Sequence, residues 1–262
     1  MTLPPILSRA AFAVVGLLLL AQPVAAAELQ VVSSGGFAPA YQALAPEFER
    51  ASGDTLKIGW GPSMGDTPNA VPVRLARGEK LDVVIMVGYA LDDLIKQGKV
   101  LPDSKVVLAR SSIGVAVKAG APKPDISSVE AVKQALLAAK SIAYSDSASG
   151  VYISTQMFQR LGIAAQMEGK ARKIPATPVG EIVAQGEAEL GFQQIAELKA
   201  VEGIDLVGPL PPELQQVTLY SAGIVAGSHD PAAARKLLDF LASPAAAPAI
   251  AATGLEPTAA VK

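Results

Sequence analysis

The chain has 262 residues, enough for one large domain or two modest ones, and half of them are hydrophobic while 18% are charged. That apolar fraction, with a formal net charge of −2, excludes intrinsic disorder and leaves no basic field to draw in nucleic acid. With no cysteine and a single histidine, His229, the chain also lacks the means for disulfides, thiolate nucleophiles, iron–sulfur clusters and zinc sites that need two imidazoles.

Residues 1–27 have the pattern of a cleaved secretory signal. Arg9 is the one charged side chain before Glu28, an apolar run covers 10–21, and small residues, Ala25-Ala26-Ala27, stand at the expected cut. The run is short of the ~20 residues needed to cross a bilayer. The expectation is therefore export to the periplasm, with no stable membrane insertion after cleavage.

Beyond the signal, β-branched runs alternate with helical spacing. Residues 29–33 predict a strand, and 37–51 a helix with Tyr41, Leu44, Ala45 and Phe48 on one side and Gly53 as its stop. A strand at 55–60 precedes a Gly/Pro loop over 61–68 and a helix at 71–77. The nearly continuous apolar run at 81–87 suits a strand buried on both faces of a sheet. This alternation makes the class α/β. It restarts near Val106, with strands at 113–117, 141–144 and 188–192, and helices at 128–139, 150–161 and from Val179. A strand at 217–225, a helix at 231–241 and an alanine-rich helical tail at 244–252 close the chain. The expected organisation is two α/β lobes with a cleft between them. Residues 28–109 and 221–262 form the first lobe and 110–220 the second, the chain crossing near 106–112 and again near 219–224.

Three segments join small, polar and glycine residues at the carboxyl end of a strand, where open α/β sheets bind ligands. They are Ser33-Ser34-Gly35-Gly36, Gly59-Trp60-Gly61-Pro62-Ser63, and the stretch from Ser145-Asp146 through Ser149-Gly150-Val151-Tyr152. Each alone is ordinary helix-capping chemistry; their matching topological positions are the signal. Hydroxyls and backbone N–H groups at a helix start favour anions. No Walker spacing, dinucleotide fingerprint or Gly-x-Ser-x-Gly elbow occurs. Arg74 and Arg77 share a helix face, so Arg74 is either a solvated charge or a bidentate clamp on a carboxylate. Gln193-Gln194, directly after a buried strand, either fill the core or line the cleft. His229 lies in a turn before the helix at 231–241 and reads as a surface cap, which leaves no serine–histidine–acid triad.

The order of these elements resembles the periplasmic binding protein family, in particular its molybdate-binding branch, over the whole chain from Leu29 onward. That resemblance implies a two-lobed type II fold with an interlobe cleft. It implies ligand contacts from Ser33, Ser34, Gly35 and Gly36, from Ser63, from Ser149 with Gly150 and Val151, from Val179 and from Gln194. Two departures stand out: Gly36 is found where the molybdate binders carry a serine, and the tyrosine expected near Gln194 is absent. The glycines are expected to open room for a ligand bulkier than a tetrahedral oxyanion, with Gln193, Gln194 and Arg74 as planar partners.

Within this superfamily the chain is most similar to exported tricarboxylate isomerases built on the same scaffold. This implies a cis–trans interconversion of an unsaturated tricarboxylate by an allylic proton shift, with no cofactor and no metal, in a monomer. Such chemistry needs a base kept out of water so that its pKa approaches the working pH. Asp146 and Tyr152, which flank Ser149-Gly150, are the candidates for proton transfer. The competing reading is a passive receptor of an importer for molybdate or an organic anion.

Overall fold

A computed structural model describes residues 26–258, so the expected signal, apart from its last two residues, lies outside the described residues. The strands are β1 (Glu28–Ser33), β2 (Thr55–Trp60), β3 (Val83–Val87), β4 (Val106–Ser111), β5 (Ile113–Lys118), β6 (Ile142–Ser145), β7 (Ala171–Ile174), β8 (Leu190–Gln194), β9 (Ile204–Pro209), β10 (Thr218–Ile224) and β11 (Glu256–Pro257). They form one sheet in the order β11-β4-β10-β3-β1-β2 and a second in the order β7-β6-β8-β5-β9. In the first sheet β1 runs parallel to β2 and β3; in the second, β6 runs parallel to β7 and β8. Each sheet has its own apolar core, one built around β1 and β3 and the other around β5 and β8.

Local sequence explains the main pieces. All five residues of β3 are buried, as expected for a strand covered on both faces. Helix Ala38–Ser52 buries Tyr41, Leu44, Ala45 and Phe48, and ends where Gly53 takes φ 79° and donates its N–H to the Glu49 carbonyl. Fully burying each such apolar side chain is worth ~1.5–3 kcal/mol. Ser128 caps helix Val129–Ala138 by accepting from Ala131 N at 3.1 Å, and Asp230 caps helix Pro231–Leu241 through Ala233 N at 2.9 Å. The alanine-rich tail forms helix Ala247–Ala252, packed against helix Ala38–Ser52 in the first lobe.

The chain passes to the second sheet at Ser112, between β4 and β5, and returns after Pro209, before β10 begins at Thr218. Arg110 and Ser111, expected in the second lobe, belong to the first sheet, and so do Thr218, Leu219 and Tyr220. Ser111 pairs with Thr218 and Arg110 with Leu219, so both strands continue past the expected boundaries until the ladder ends. The expected helix at 150–161 is interrupted by a π-turn over Ile153–Met157. There Ser154 and Thr155 hydroxyls donate back to the carbonyls of Gly150 and Val151 at 2.8 and 2.7 Å, which competes with the regular helical ladder. Helix Gly88–Lys96 and strands β7 and β9 had no expectation from the sequence. Among the described residues no helix is long and apolar enough to cross a membrane.

The interlobe cleft as candidate active site

Strands β1, β2, β6 and β8 end at a cleft of about 270 Å³ between the lobes. The first lobe supplies Ser34, Gly35 and Gly36 after β1, and Ser63 after β2. The second supplies Ser145 at the end of β6 with Asp146 and Ser147 after it, and Gln193 and Glu197 at and beyond the end of β8; Tyr220 enters from β10. Parts of all three segments picked out in the sequence meet here. No lysine or arginine is among the lining residues. A negative ligand must therefore be met by hydroxyls and amide dipoles.

Several donors are poised for that. Ser34 Oγ is buried without a partner. Ser63 Oγ accepts from Val87 N at 2.9 Å, which leaves its own proton to donate. Ser145 Oγ lies 3.1 Å from Ser147 Oγ and 2.9 Å from Ser149 Oγ, so Ser149 sits behind the lining as a member of the hydroxyl chain. Ser33 is buried one position back, its hydroxyl donating to the Ser34 carbonyl at 3.2 Å. Asp146 Oδ2 accepts from Ala176 N at 3.2 Å, and Ala176 holds φ 58°, unusual for a residue with a Cβ.

The two glycines do not open room for a larger ligand as expected. A Cβ at Gly36 would lie 1.8 Å from Tyr220 Oη, and one at Gly35 would lie 2.5 Å from Glu197 Oε1. The space is already taken by a phenol and a carboxyl of the protein. A tyrosine thus does reach the cleft, from β10 and not from beside Gln194.

Glu197 is a cleft residue that sequence reasoning missed. It lies on the short helix Ile195–Lys199 that follows β8, between the buried Ala196 and Leu198. Its Oε2 is buried with no hydrogen-bond partner. Burial, above all, pushes this carboxyl up to about 7; Asp146 adds to the rise, while the Gln193 amide and the Gln194 N–H oppose it. Tyr220 is buried as well, and burial, then Glu197 and Tyr89, hold its phenol well above the usual value. The signal available was an acid one helical turn past a strand-end pair of glutamines, in the same topological position as the other loops.

Other expected site residues are engaged elsewhere. Arg74 does not line the cleft. Its guanidinium pairs with Glu79, Nε to Oε1 at 3.0 Å with a second contact from Nη2, and Nη1 donates to the Trp60 carbonyl at 3.4 Å. Here the guanidinium is held in an internal ion pair: Glu79, just past the helix, draws in both Arg74 and Arg77 and is itself lowered to about 2, foremost by the Arg74 hydrogen bond. Tyr152 is engaged away from the cleft as well. Its hydroxyl donates to the Leu214 carbonyl at 2.8 Å and accepts from Arg160 at 3.1 Å, inside the second core. Gly150 packs on the Ser145 carbonyl, where a Cβ would come within 1.6 Å, and the exposed Val151 lines a second pocket with Gly88, Tyr89 and Lys105 of the first lobe and not the cleft itself.

The Val179 N–H is taken by Gln193 Oε1 at 2.8 Å, so Gln193 lines the cleft while Val179 is closed off behind it. Gln194 is fully buried, accepting from Ser111 Oγ at 2.6 Å and donating to Thr218 Oγ1 at 3.1 Å. It ties the second lobe to the two strands through which the chain crosses. His229 Nδ1 lies 2.7 Å from Asp82 Oδ1 in the turn before helix Pro231–Leu241, away from the cleft lining. Among the described residues no group of three or more His, Cys, Asp or Glu side chains is placed to hold a metal ion.

Comparison with known proteins places this geometry. The chain is 55% identical over 240 residues to a protein of Pseudomonas sp. named aconitate isomerase, a match covering 92% of this chain and 91% of that one. The periplasmic molybdate-binding protein of Azotobacter vinelandii superposes with a TM-score of 0.69 at 24% identity, covering 87% of this chain and 98% of that one. The sulfate-binding protein of Mycobacterium tuberculosis H37Rv does so with a TM-score of 0.69 at 19% identity, covering 88% and 87%. These likenesses show the two-lobed periplasmic binding protein fold. The profile of bacterial extracellular solute-binding proteins matches residues 29–256, and the chain belongs to that family.

Proposed function

We propose that this protein is an isomerase that interconverts cis- and trans-aconitate by an allylic proton shift in the interlobe cleft. The observation that carries the reading is the 55% identity, over 92% of the chain, to a protein named aconitate isomerase. The cleft chemistry supports it. Three carboxylates can be met by the hydroxyls of Ser34, Ser63 and Ser147 without a lysine or arginine. Donors that strengthen as charge spreads onto a conjugated carboxylate lower the barrier to forming the dienolate. Asp146 lines the same cleft and contributes to its electrostatics.

A receptor for molybdate or an organic anion would use the same fold and the same hydroxyls, since fold alone does not decide function. It has no use for a carboxyl held near neutrality in its cleft. The segment 1–27 and the family together support an exported, periplasmic protein that acts after loss of its signal, and the likeness to the protein named aconitate isomerase supports a small tricarboxylate as its substrate.

The test is direct. Purified protein incubated with trans-aconitate in chelator-treated buffer is followed by proton NMR. The appearance of cis-aconitate at a rate proportional to protein supports the isomerase. Tight anion binding without conversion would identify a receptor instead.

A further inference from the structure

We propose that Glu197 is the catalytic residue that moves the proton, and that Tyr220, beside it, donates a hydrogen bond to the substrate carboxylate on which the charge collects. The inference rests on the isomerase reading and names the groups that perform it. Glu197 reaches from the second lobe to within contact of the Gly35 loop of the first, and Tyr220 meets the adjoining Gly36. A substrate seated between the strand ends therefore faces carboxyl and phenol together.

The titratable side chains lining the cleft are Asp146, Glu197 and Tyr220. Asp146 Oδ2 accepts from the Ala176 N–H at 3.2 Å and its carboxyl is the more exposed of the two acids, whereas that of Glu197 is enclosed. Tyr220 keeps its proton, because burial disfavours the phenolate, and so it acts as a donor and not a base. Glu197 retains a buried oxygen with no partner. It is also the carboxyl whose proton affinity matches neutral working conditions, where acid–base catalysis is most effective.

The step balances within the substrate and one side chain. The C–H bond of the substrate methylene breaks, and its proton forms an O–H bond on Glu197. The electron pair left behind spreads through the C=C bond into the conjugated carboxylate, which accepts a hydrogen bond from Tyr220. The O–H bond then breaks as a C–H bond forms at the former vinyl carbon, with the double bond moved by one position. Nothing is oxidised or reduced.

The test separates binding from turnover. Glu197→Gln should still bind trans-aconitate, with a dissociation constant within about fivefold of wild type by calorimetry. Its turnover should fall by about 10²–10⁴-fold, the range expected for loss of a positioned proton carrier. It should also stop exchanging the substrate methylene protons with D₂O, a partial reaction that a merely structural residue would not abolish. Tyr220→Phe should lower turnover about tenfold or more with little change in affinity. If Glu197→Gln fails to fold, Glu197→Asp and Glu197→Ala replace it: the shortened carboxyl should keep measurable turnover and the alanine should not. Wild-type protein that fails to convert aconitate overturns the isomerase reading itself. Wild-type conversion with more than a tenth of it retained in Glu197→Gln, or equal rates in the aspartate and alanine variants, overturns the assignment of Glu197 alone.

Discussion

The Tyr220 hydroxyl fills the place where a side chain at Gly36 would begin, 1.8 Å from an ideal Cβ. Tyr220 is 3% exposed and its ring packs 6.5 Å from that of Phe37, so it has little room to retreat. Gly36→Ala should therefore force either the loop or the phenol to shift. Overpacking of this kind typically costs about 1–3 kcal/mol. Urea unfolding should show that loss, and turnover of trans-aconitate should fall by more than the affinity for it. A variant as stable and active as wild type would mean that the Gly36 loop gives way freely.

Glu197 links the pH dependence of stability to that of activity. Its carboxyl rises from an ordinary 4.5 to about 7 on folding, chiefly through burial, with Asp146 facing it and Tyr220 alongside. A raised value means that the folded chain holds the proton more tightly than the unfolded chain. The associated stabilisation is fully present below about pH 4.5 and is lost as pH climbs through 7. At ~1.36 kcal/mol per unit, the loss amounts to roughly 3 kcal/mol. Unfolding measured at pH 5 and at pH 8 should differ by about that much more in wild type than in Glu197→Gln. Turnover should move the other way, rising toward a plateau above about pH 7 as the base form accumulates. A flat stability difference between the two proteins would show that the carboxyl is hydrated.

The α/β class, the strand-end loops and the Ser128 cap were legible because they are local. Residues 29–33 and the run ending in Val87 alternate or cluster their apolar positions as their burial requires, and Ser128 caps helix Val129–Ala138 at its expected start, whereas the cap of helix Pro231–Leu241 is Asp230 and not the adjoining His229 read as one. What was not legible depends on pairing at a distance. Ser111 and Thr218 adjoin through register, so the lobe boundary follows a ladder that no short window contains. Arg74 reads as a free cation until Glu79 folds back onto it. Gly36 reads as open space until Tyr220 arrives from β10, and Glu197, which drew no reading from the sequence, stands out only once the fold sets it against Gly35. In each case the missing information was the identity of a partner far along the chain or one turn away.

The Arg74–Glu79 pair has its own consequence. Arg74→Ala removes a half-buried guanidinium that shields Glu79 and lies against Gly59 and the Trp60 carbonyl. Arg77, 2.6 Å from the other Glu79 oxygen, remains. The expected outcome is a modest loss of stability, about 1 kcal/mol, with the Glu79 carboxyl titrating at higher pH than before. Aconitate affinity should change less than twofold, because this side chain does not line the cleft. An affinity loss of tenfold or more would restore Arg74 as a substrate contact.

Gln194 joins Ser111 and Thr218 in a fully buried triad at the point where the two lobes share their strands. Removing the amide alone leaves two hydroxyls without partners, each costing about 1–3 kcal/mol, whereas replacing amide and hydroxyls together by apolar groups removes the need they satisfied. Gln194→Leu should therefore be clearly destabilised in urea unfolding. Combining it with Ser111→Ala and Thr218→Val should recover part of the loss, giving a coupling of about 0.5–3 kcal/mol between neighbouring sites. Because Gln194 does not line the cleft, its single variant should retain the substrate affinity of the wild type under conditions where both are folded. Additive losses across the three substitutions would show that the triad is not a coupled unit, and that the lobes are held at this crossing by the β4–β10 ladder alone.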